Sequence, residues 1–371
     1  MKTKLAAAIA LSLLAGSTFA APTFYGEIDA SVDYLPEDNK TGFSDKDVVE
    51  LNSNNSFIGL KGDEKLTDRL SALYQAEFTF YVDDGENGSD TFVPRNLLIG
   101  LKDEKLGAIK LGKIDTPVKQ LSSVVDTFNN YVDNKADITG ILTGENRIDN
   151  VVVYESPAFA LGEGKVKATA LLASGEASGI SKSKGGAKVA GRGLGDAWSA
   201  SVVYDSKPVV VGIGYDKAIP SNFGGVGILN ASQPEVTGTK AFAAANTLRA
   251  IGRINLDAGL ALKALYQTSE VESVAGNEAA AANIDDAQGW LVGAEYNLPS
   301  AKAWTVKAQY SQNTTSYKDG DDFDAQQFIA GADYAFSKQV KAYGYAGYLT
   351  LEKGPDESEQ PVLGTGLEFK F

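Results

Sequence analysis

From Phe24 onward the chain alternates apolar and polar positions with a period of two. In 24–34 the even residues Phe24, Gly26, Ile28, Ala30, Val32 and Tyr34 are apolar or small, and Glu27, Asp29, Ser31 and Asp33 stand between them. The same rhythm runs through 70–82 and through the segments that open on Trp198, Trp290 and Trp304. The last residues repeat it. Leu363, Thr365, Leu367, Phe369 and Phe371 share one face, and Gly364, Gly366, Glu368 and Lys370 share the other. Successive side chains of a strand point to opposite faces, so each segment predicts a ribbon with one apolar and one polar face. Glu27, Asp29, Glu77, Lys165, Lys167 and Lys307 fall on the polar face. A packed core would have to pair nearly all of them, whereas a water-filled lumen would not. Aromatic residues mark the segment ends, among them Tyr34, Tyr204, Tyr296, Tyr310, Tyr334 and Phe371, as in the two girdles of a membrane barrel.

The connections alternate in length. Short turns are expected at 62–68, 102–106, 157–164, 205–207, 255–259, 298–303 and 337–339. Long loops are expected at 35–47, 83–94, 112–146, 175–195, 217–240, 269–287, 313–324 and 352–360. Together they predict an all-β protein, a closed antiparallel barrel of sixteen strands, the size that leaves an aqueous channel. The segment 94–102 fits least well. Arg95, Leu97, Ile99 and Leu101 share parity there, and a β-bulge would reconcile them.

The N-terminus adds a compartment. Met1-Lys2-Thr3-Lys4 is basic, 5–16 is apolar but short for a bilayer span, and Thr18-Phe19-Ala20 offers small residues before Ala21. Residues 1–20 therefore predict a removed secretory signal peptide, leaving 21–371 as one barrel domain. The formal net charge is −14, and loss of Lys2 and Lys4 makes the mature chain more acidic still, which argues against nucleic acid as a partner. Cysteine and histidine are both absent. That rules out a disulfide framework and thiolate metal sites, and it removes the commonest general base. No catalytic residue, metal or cofactor is expected.

One connection stands apart. The segment 112–146 carries few strand signals, a helix-like piece near 118–128, and the acids Asp126, Asp133, Asp137 and Glu145. Long loops in compact folds are commonly functional, and this one could fold inward and narrow a lumen. The acids Asp319, Asp321, Asp322 and Asp324 suit a divalent cation or a bridge to surface lipid, and equally a solvated loop.

Five segments carry a family resemblance. They are Phe24-Tyr25-Gly26-Glu27-Ile28-Asp29; Ser56-Phe57-Ile58-Gly59-Leu60-Lys61-Gly62-Asp63-Glu64-Lys65-Leu66; Arg95-Asn96-Leu97-Leu98-Ile99-Gly100-Leu101-Lys102; Leu111-Gly112-Lys113-Ile114-Asp115-Thr116-Pro117; and Arg147-Ile148-Asp149-Asn150-Val151 through Pro157. With the terminal Phe371 they make the chain resemble the Gram-negative general diffusion porins, trimeric outer-membrane barrels whose third external loop folds into the lumen. The resemblance implies a passive channel for ions and small hydrophilic solutes. It implies a homotrimer, contact with outer-membrane lipid and lipopolysaccharide, and a terminal Phe371 read by the barrel-assembly machinery. It places Arg95 and Arg147 on a basic wall facing the loop acids Asp126, Asp133, Asp137 and Glu145. Lys113 stands where the family commonly has arginine, and Phe57 where it commonly has another. Alternation alone adds Lys61 and Lys110 to the wall. A missing arginine and an acidic chain point to weak cation preference. The alternatives are a porin selective for a sugar, phosphate or organic acid, a barrel enzyme, which the lack of histidine disfavours, and a non-conducting surface barrel or adhesin.

Overall fold

The computed structural model describes residues 21–36, 47–84, 90–181, 188–229, 240–272 and 279–371. The signal-peptide segment and much of the loop expected at 35–47 lie outside the described residues. Sixteen antiparallel strands follow one another round a single sheet. They are β1 (Thr23–Leu35), β2 in two pieces (Val48–Ser53 and Phe57–Lys65), β3 (Leu70–Thr79), β4 (Val93–Asp103) and β5 (Gly107–Asp115). Then come β6 (Arg147–Glu155, with a short extension Phe159–Leu161), β7 (Gly164–Ala173), β8 (Ala197–Asp205), β9 (Val209–Phe223), β10 (Ala241–Asn255) and β11 (Leu260–Val271). The last five are β12 (Ile284–Asn297), β13 (Trp304–Tyr317), β14 (Phe323–Ala335), β15 (Val340–Lys353) and β16 (Asp356–Lys370). Both pieces of β2 pair with β1, so they are one strand interrupted at Asn54–Ser56.

The sheet closes where β1 meets β16, with Glu27 opposite Lys370 and Tyr34 opposite Leu363. Closure leaves no unpaired edge, the condition for strands to cross a bilayer. Among the described residues no helix is long and apolar enough to cross a membrane. Phe371 completes the seam. Its carbonyl accepts from Gly26 N at 3.0 Å, and its own N–H donates to Gly26 O at 3.1 Å. Its ring lies across Gly26, where a Cβ would sit 2.7 Å from Phe371 Cζ.

The period of two sorts the faces as expected. Ile28, Val32, Ile99, Ile109, Ile213, Val292 and Leu367 are exposed on the outside. Trp198 and Tyr215 pair at 5.4 Å, and Trp290 and Tyr310 at 5.0 Å, on one rim; Trp304 and Tyr334 pair at 5.0 Å on the other. Rings whose bodies are apolar and whose tips are polar suit the two water–lipid boundaries. The parity conflict at Arg95 resolves as a bulge. Ala76 pairs with Leu97 and Phe78 with Pro94, so Glu77 alone faces Arg95 and Asn96.

Two expected long loops are short. β13 and β14 continue to Tyr317 and from Phe323, and β15 and β16 are joined by Gly354–Pro355, with Gly354 at φ +58°. Above the girdle the outward residues Gln312, Thr314, Ser316 and Gln326 are polar. On β13 both faces are then polar, while on β14 and β15 the inward Phe323, Ala325, Leu349 and Leu351 are buried and apolar, so the lipid-facing alternation is lost on one strand and reversed in sense on the others.

Candidate functional site

The connection between β5 and β6 lies inside the barrel. Thr116 opens it as a helix cap, its Oγ1 accepting from Lys119 N at 3.1 Å, and Pro117 takes the first helical position. Helix α1 (Pro117–Val125) follows and buries Val118, Leu121 and Val125 against β8–β11. The wall is cut to receive it. Gly212 and Gly214 face inward, and a Cβ on either would come within 2.8 and 3.0 Å of Leu121. Gly289 on β12 makes the same room for Leu142. After α1 comes a left-handed turn, with Asn130, Val132, Asp133 and Asn134 at φ 73°, 54°, 49° and 57°. A β-branched residue in that region is strained, and Val132 holds it while fully buried. Helix α2 (Ile138–Ile141) is capped by Asp137, whose Oδ1 accepts from Gly140 N at 3.3 Å.

Wall side chains fasten this loop. Arg249 on β10 is completely buried. It donates to Thr143 O at 2.8 Å, Val118 O at 3.2 Å and Gln267 Oε1 at 2.9 Å, and also to Ser122 Oγ and to Glu145. Gln267 Nε2 donates to Thr143 O at 2.9 Å. On β13, Gln309 Oε1 accepts from Thr127 N at 2.8 Å. Lys307 Nζ donates to Tyr131 Oη at 2.8 Å, lies 4.3 Å from that ring's centroid, and pairs with Asp333 at 2.9 Å. The Tyr131 ring stacks on Tyr343 at 4.3 Å. None of these anchors was among the residues singled out from sequence for the site.

A polar cavity of about 240 Å³ lies between the loop and the wall that carries β4–β6. Arg95, Arg147 and Lys119 line it together with Asp115, Asp126, Asp137 and Glu145. Arg95 donates to Asn55 Oδ1, and its guanidinium carbon sits 4.6 Å over the Phe57 ring. An aromatic face thus takes the position where the family commonly has arginine, and it holds Arg95 by a cation–π contact. Arg147 Nε is 3.0 Å from Asp115, which also accepts from Asn96 at 2.9 Å and lies 3.5 Å from Lys119.

The other expected residues lie elsewhere. Lys110 pairs with Glu155 at 2.5 Å and Lys113 with Asp149 at 2.5 Å. Lys61 is exposed and sits 4.4 Å over the Tyr25 ring. Asp133 carries its backbone N–H to Asn54 Oδ1 at 3.0 Å, and the charges nearest its carboxyl are Lys135, Asp83, Glu50 and Asp84. None of these four lines the cavity.

The loop carboxyls are electrostatically uneven. Burial, with the Glu145 charge adding to it, pushes the Asp126 carboxyl up to about 7. Burial and the charges of Asp126 and Glu145 push Asp137 well above the usual carboxylate range. Glu145 is matched by Arg249.

Comparison with known proteins agrees with this architecture. A family profile of Gram-negative porins matches residues 6–354. The major outer membrane protein P.IB of Neisseria lactamica is 25% identical over 98% of both chains. An outer membrane porin protein of Bordetella pertussis is 29% identical over 177 residues, 43% of this chain and 46% of its own length, so that match spans under half of the relative. Among solved structures, an anion-selective porin from Comamonas acidovorans superposes with a TM-score of 0.68 at 20% identity, covering 95% of this chain and 99% of its own. The outer membrane channel DcaP of Acinetobacter baumannii gives 0.63 at 12% identity, over 94% and 97%. A closed sixteen-strand barrel with apolar strands outward, aromatic rims and a family match along nearly its whole length places this chain among the Gram-negative porins of the outer membrane.

Proposed function

We propose that this porin is a water-filled channel for passive diffusion of ions and small hydrophilic solutes, with weak cation preference set at the cavity beside the inward loop. The observation that carries the reading is that both signs of charge line one polar cavity, with Arg95 and Arg147 on the strand wall and Asp126 and Asp137 on the loop. Opposed charges across a narrow aqueous gap make a transverse field, which aligns dipolar solutes and sorts ions by sign. Arg95, Lys119 and Arg147 stand against Asp115, Asp126, Asp137 and Glu145, with Arg249 behind Glu145. The local balance is close to neutral only when Asp126 and Asp137 are both ionised, so the preference is weak, and with those carboxyls raised it turns toward cations as pH climbs above neutrality, in an acidic chain. The selectivity of the Comamonas protein stays with that protein, since so distant a likeness speaks for fold alone.

In the same reading, residues 1–20 are a removed signal peptide and the barrel works as a homotrimer among outer-membrane lipids and lipopolysaccharide. Phe371 serves the assembly machinery, and no cofactor takes part. The reversal potential of purified channels in a salt gradient tests the selectivity. A sign corresponding to anion preference that persists as the loop carboxyls ionise above about pH 8 overturns it.

A further inference from the structure

A second segment also turns inward. After β9, residues 224–229 leave the strand and pack over α2. Ile228 is completely buried and Leu229 nearly so, in one apolar cluster with Ile141, Leu142, Ile329 and Leu349. Gly227 N donates to Gly140 O at 2.9 Å. Gly227 has φ +53°, and a Cβ there would lie 2.4 Å from Gln327 Oε1, so glycine is required for this approach.

Gln327, on the inner face of β14 and 1% exposed, holds both segments. Its Oε1 accepts from Ile228 N at 2.9 Å and its Nε2 donates to Lys135 O at 3.2 Å. One amide thereby joins the wall, the second inward segment and the loop between β5 and β6. The amide offers an acceptor and a donor on separate atoms, and an apolar side chain of the same length offers neither. Between the two segments lies a cavity of about 390 Å³, lined by Thr139, Gly140, Leu142, Gly225, Val226 and Phe242 among others. The path past α2 is therefore bounded by two inward segments.

We propose that residues 224–229 are a second aperture-setting element of this channel, with Gln327 as the positioning residue that couples it to the constriction loop. The proposal rests on the channel reading above. Solutes are sized by the gap the two segments leave together, and the fully buried Ile228 is the contact that keeps the second segment against α2. Loss of either contact frees the segment to move away from α2, which widens the gap between the two inward segments. Ion sorting is carried by the charged cavity beside Arg95 and Arg147, so it changes little.

The test compares wild type with Gln327→Met and Ile228→Ser in planar bilayers, using neutral polyethylene glycols of graded size to find the cut-off for entry. Gln327→Met keeps side-chain length but loses both hydrogen bonds, and Ile228→Ser loosens the contact from the other partner. Each is expected to raise single-channel conductance by roughly 1.5-fold and to admit larger polymers, with the reversal potential unchanged. A merely structural role would lower the barrel's melting temperature and leave the polymer cut-off where it is, and that result overturns the proposal. If Gln327→Met does not assemble, Ile228→Ser decides on the same readout. Absence of conductance in wild type would instead defeat the channel reading itself, so the two failures are distinguishable.

Discussion

Replacing Arg249 by Met is the sharpest perturbation of the inward loop. The guanidinium is completely buried and bonds five partners, among them the Glu145 carboxylate and the carbonyls of Thr143 and Val118. Methionine fills much of the space and makes none of these bonds. Breaking a buried ion pair from one side costs about 3–5 kcal/mol, because the remaining charge is left buried and unpaired. Applied to the docked loop, that shifts the balance between docked and undocked forms by about two to three and a half decades. Water in the lumen can reach some of the freed groups, which favours the lower figure. The double variant with Glu145→Gln removes the orphaned charge, so part of the docking should return, as in a double-mutant cycle between touching groups. Single-channel recording reads this directly. Arg249→Met is expected to show larger mean conductance and added open-channel noise, and the double variant to lie between it and wild type. Conductance and noise equal to wild type in Arg249→Met would refute the claim that this residue holds the loop.

Other consequences follow from the same geometry. At about pH 8 or above, where the raised carboxyls are more ionised, Asp126→Asn with Asp137→Asn should move the reversal potential toward anions, while Asp133→Asn, away from the cavity, should move it far less; equal shifts would contradict the placement. Asp126 titrates near 7 and Asp137 above the usual range, both raised, so their negative charge grows as pH rises through neutrality. Cation preference should therefore strengthen from about pH 5 to about pH 8 and flatten in the double Asn variant, measured as permeability ratio against pH. Phe371→Ala strips the ring from Gly26 and from its 5.6 Å contact with Phe24, so less assembled protein should reach the outer membrane; wild-type levels by heat-modifiability on gels would count against an assembly role.

The strands were legible because lipid imposes apolar residues on every second position, and Trp290, Val292 and Ala294 announce their face without any tertiary information. Legibility stops where lipid stops: beyond the girdle β13 is polar on both faces and β14 and β15 turn their apolar residues inward, so these strand ends lose the lipid-facing pattern. Inside the barrel the sequence indicates which residues face inward but not what each meets. Asp29 and Asp33 fell on the polar face as expected, yet they are nearly dry, the first bonded to Tyr343 and the second to Tyr345. Lys307 pairs with Asp333, and Lys370 with Glu27, so much of this wall is a paired network and not a solvated surface. Arg249 stands alone between Leu248 and Ala250, and nothing local marks it as the anchor of a loop over a hundred residues earlier. The inward glycines Gly212 and Gly214 were the available signal, since they leave a groove that only another element can fill.

Conductance of the purified protein in planar bilayers tests the account most directly. It predicts discrete steps with a linear current–voltage relation, a reversal potential on the cation side in a salt gradient, and conductance that rises when Arg249 no longer holds the loop. A barrel that inserts and passes no current, or one whose conductance ignores Arg249, would contradict it.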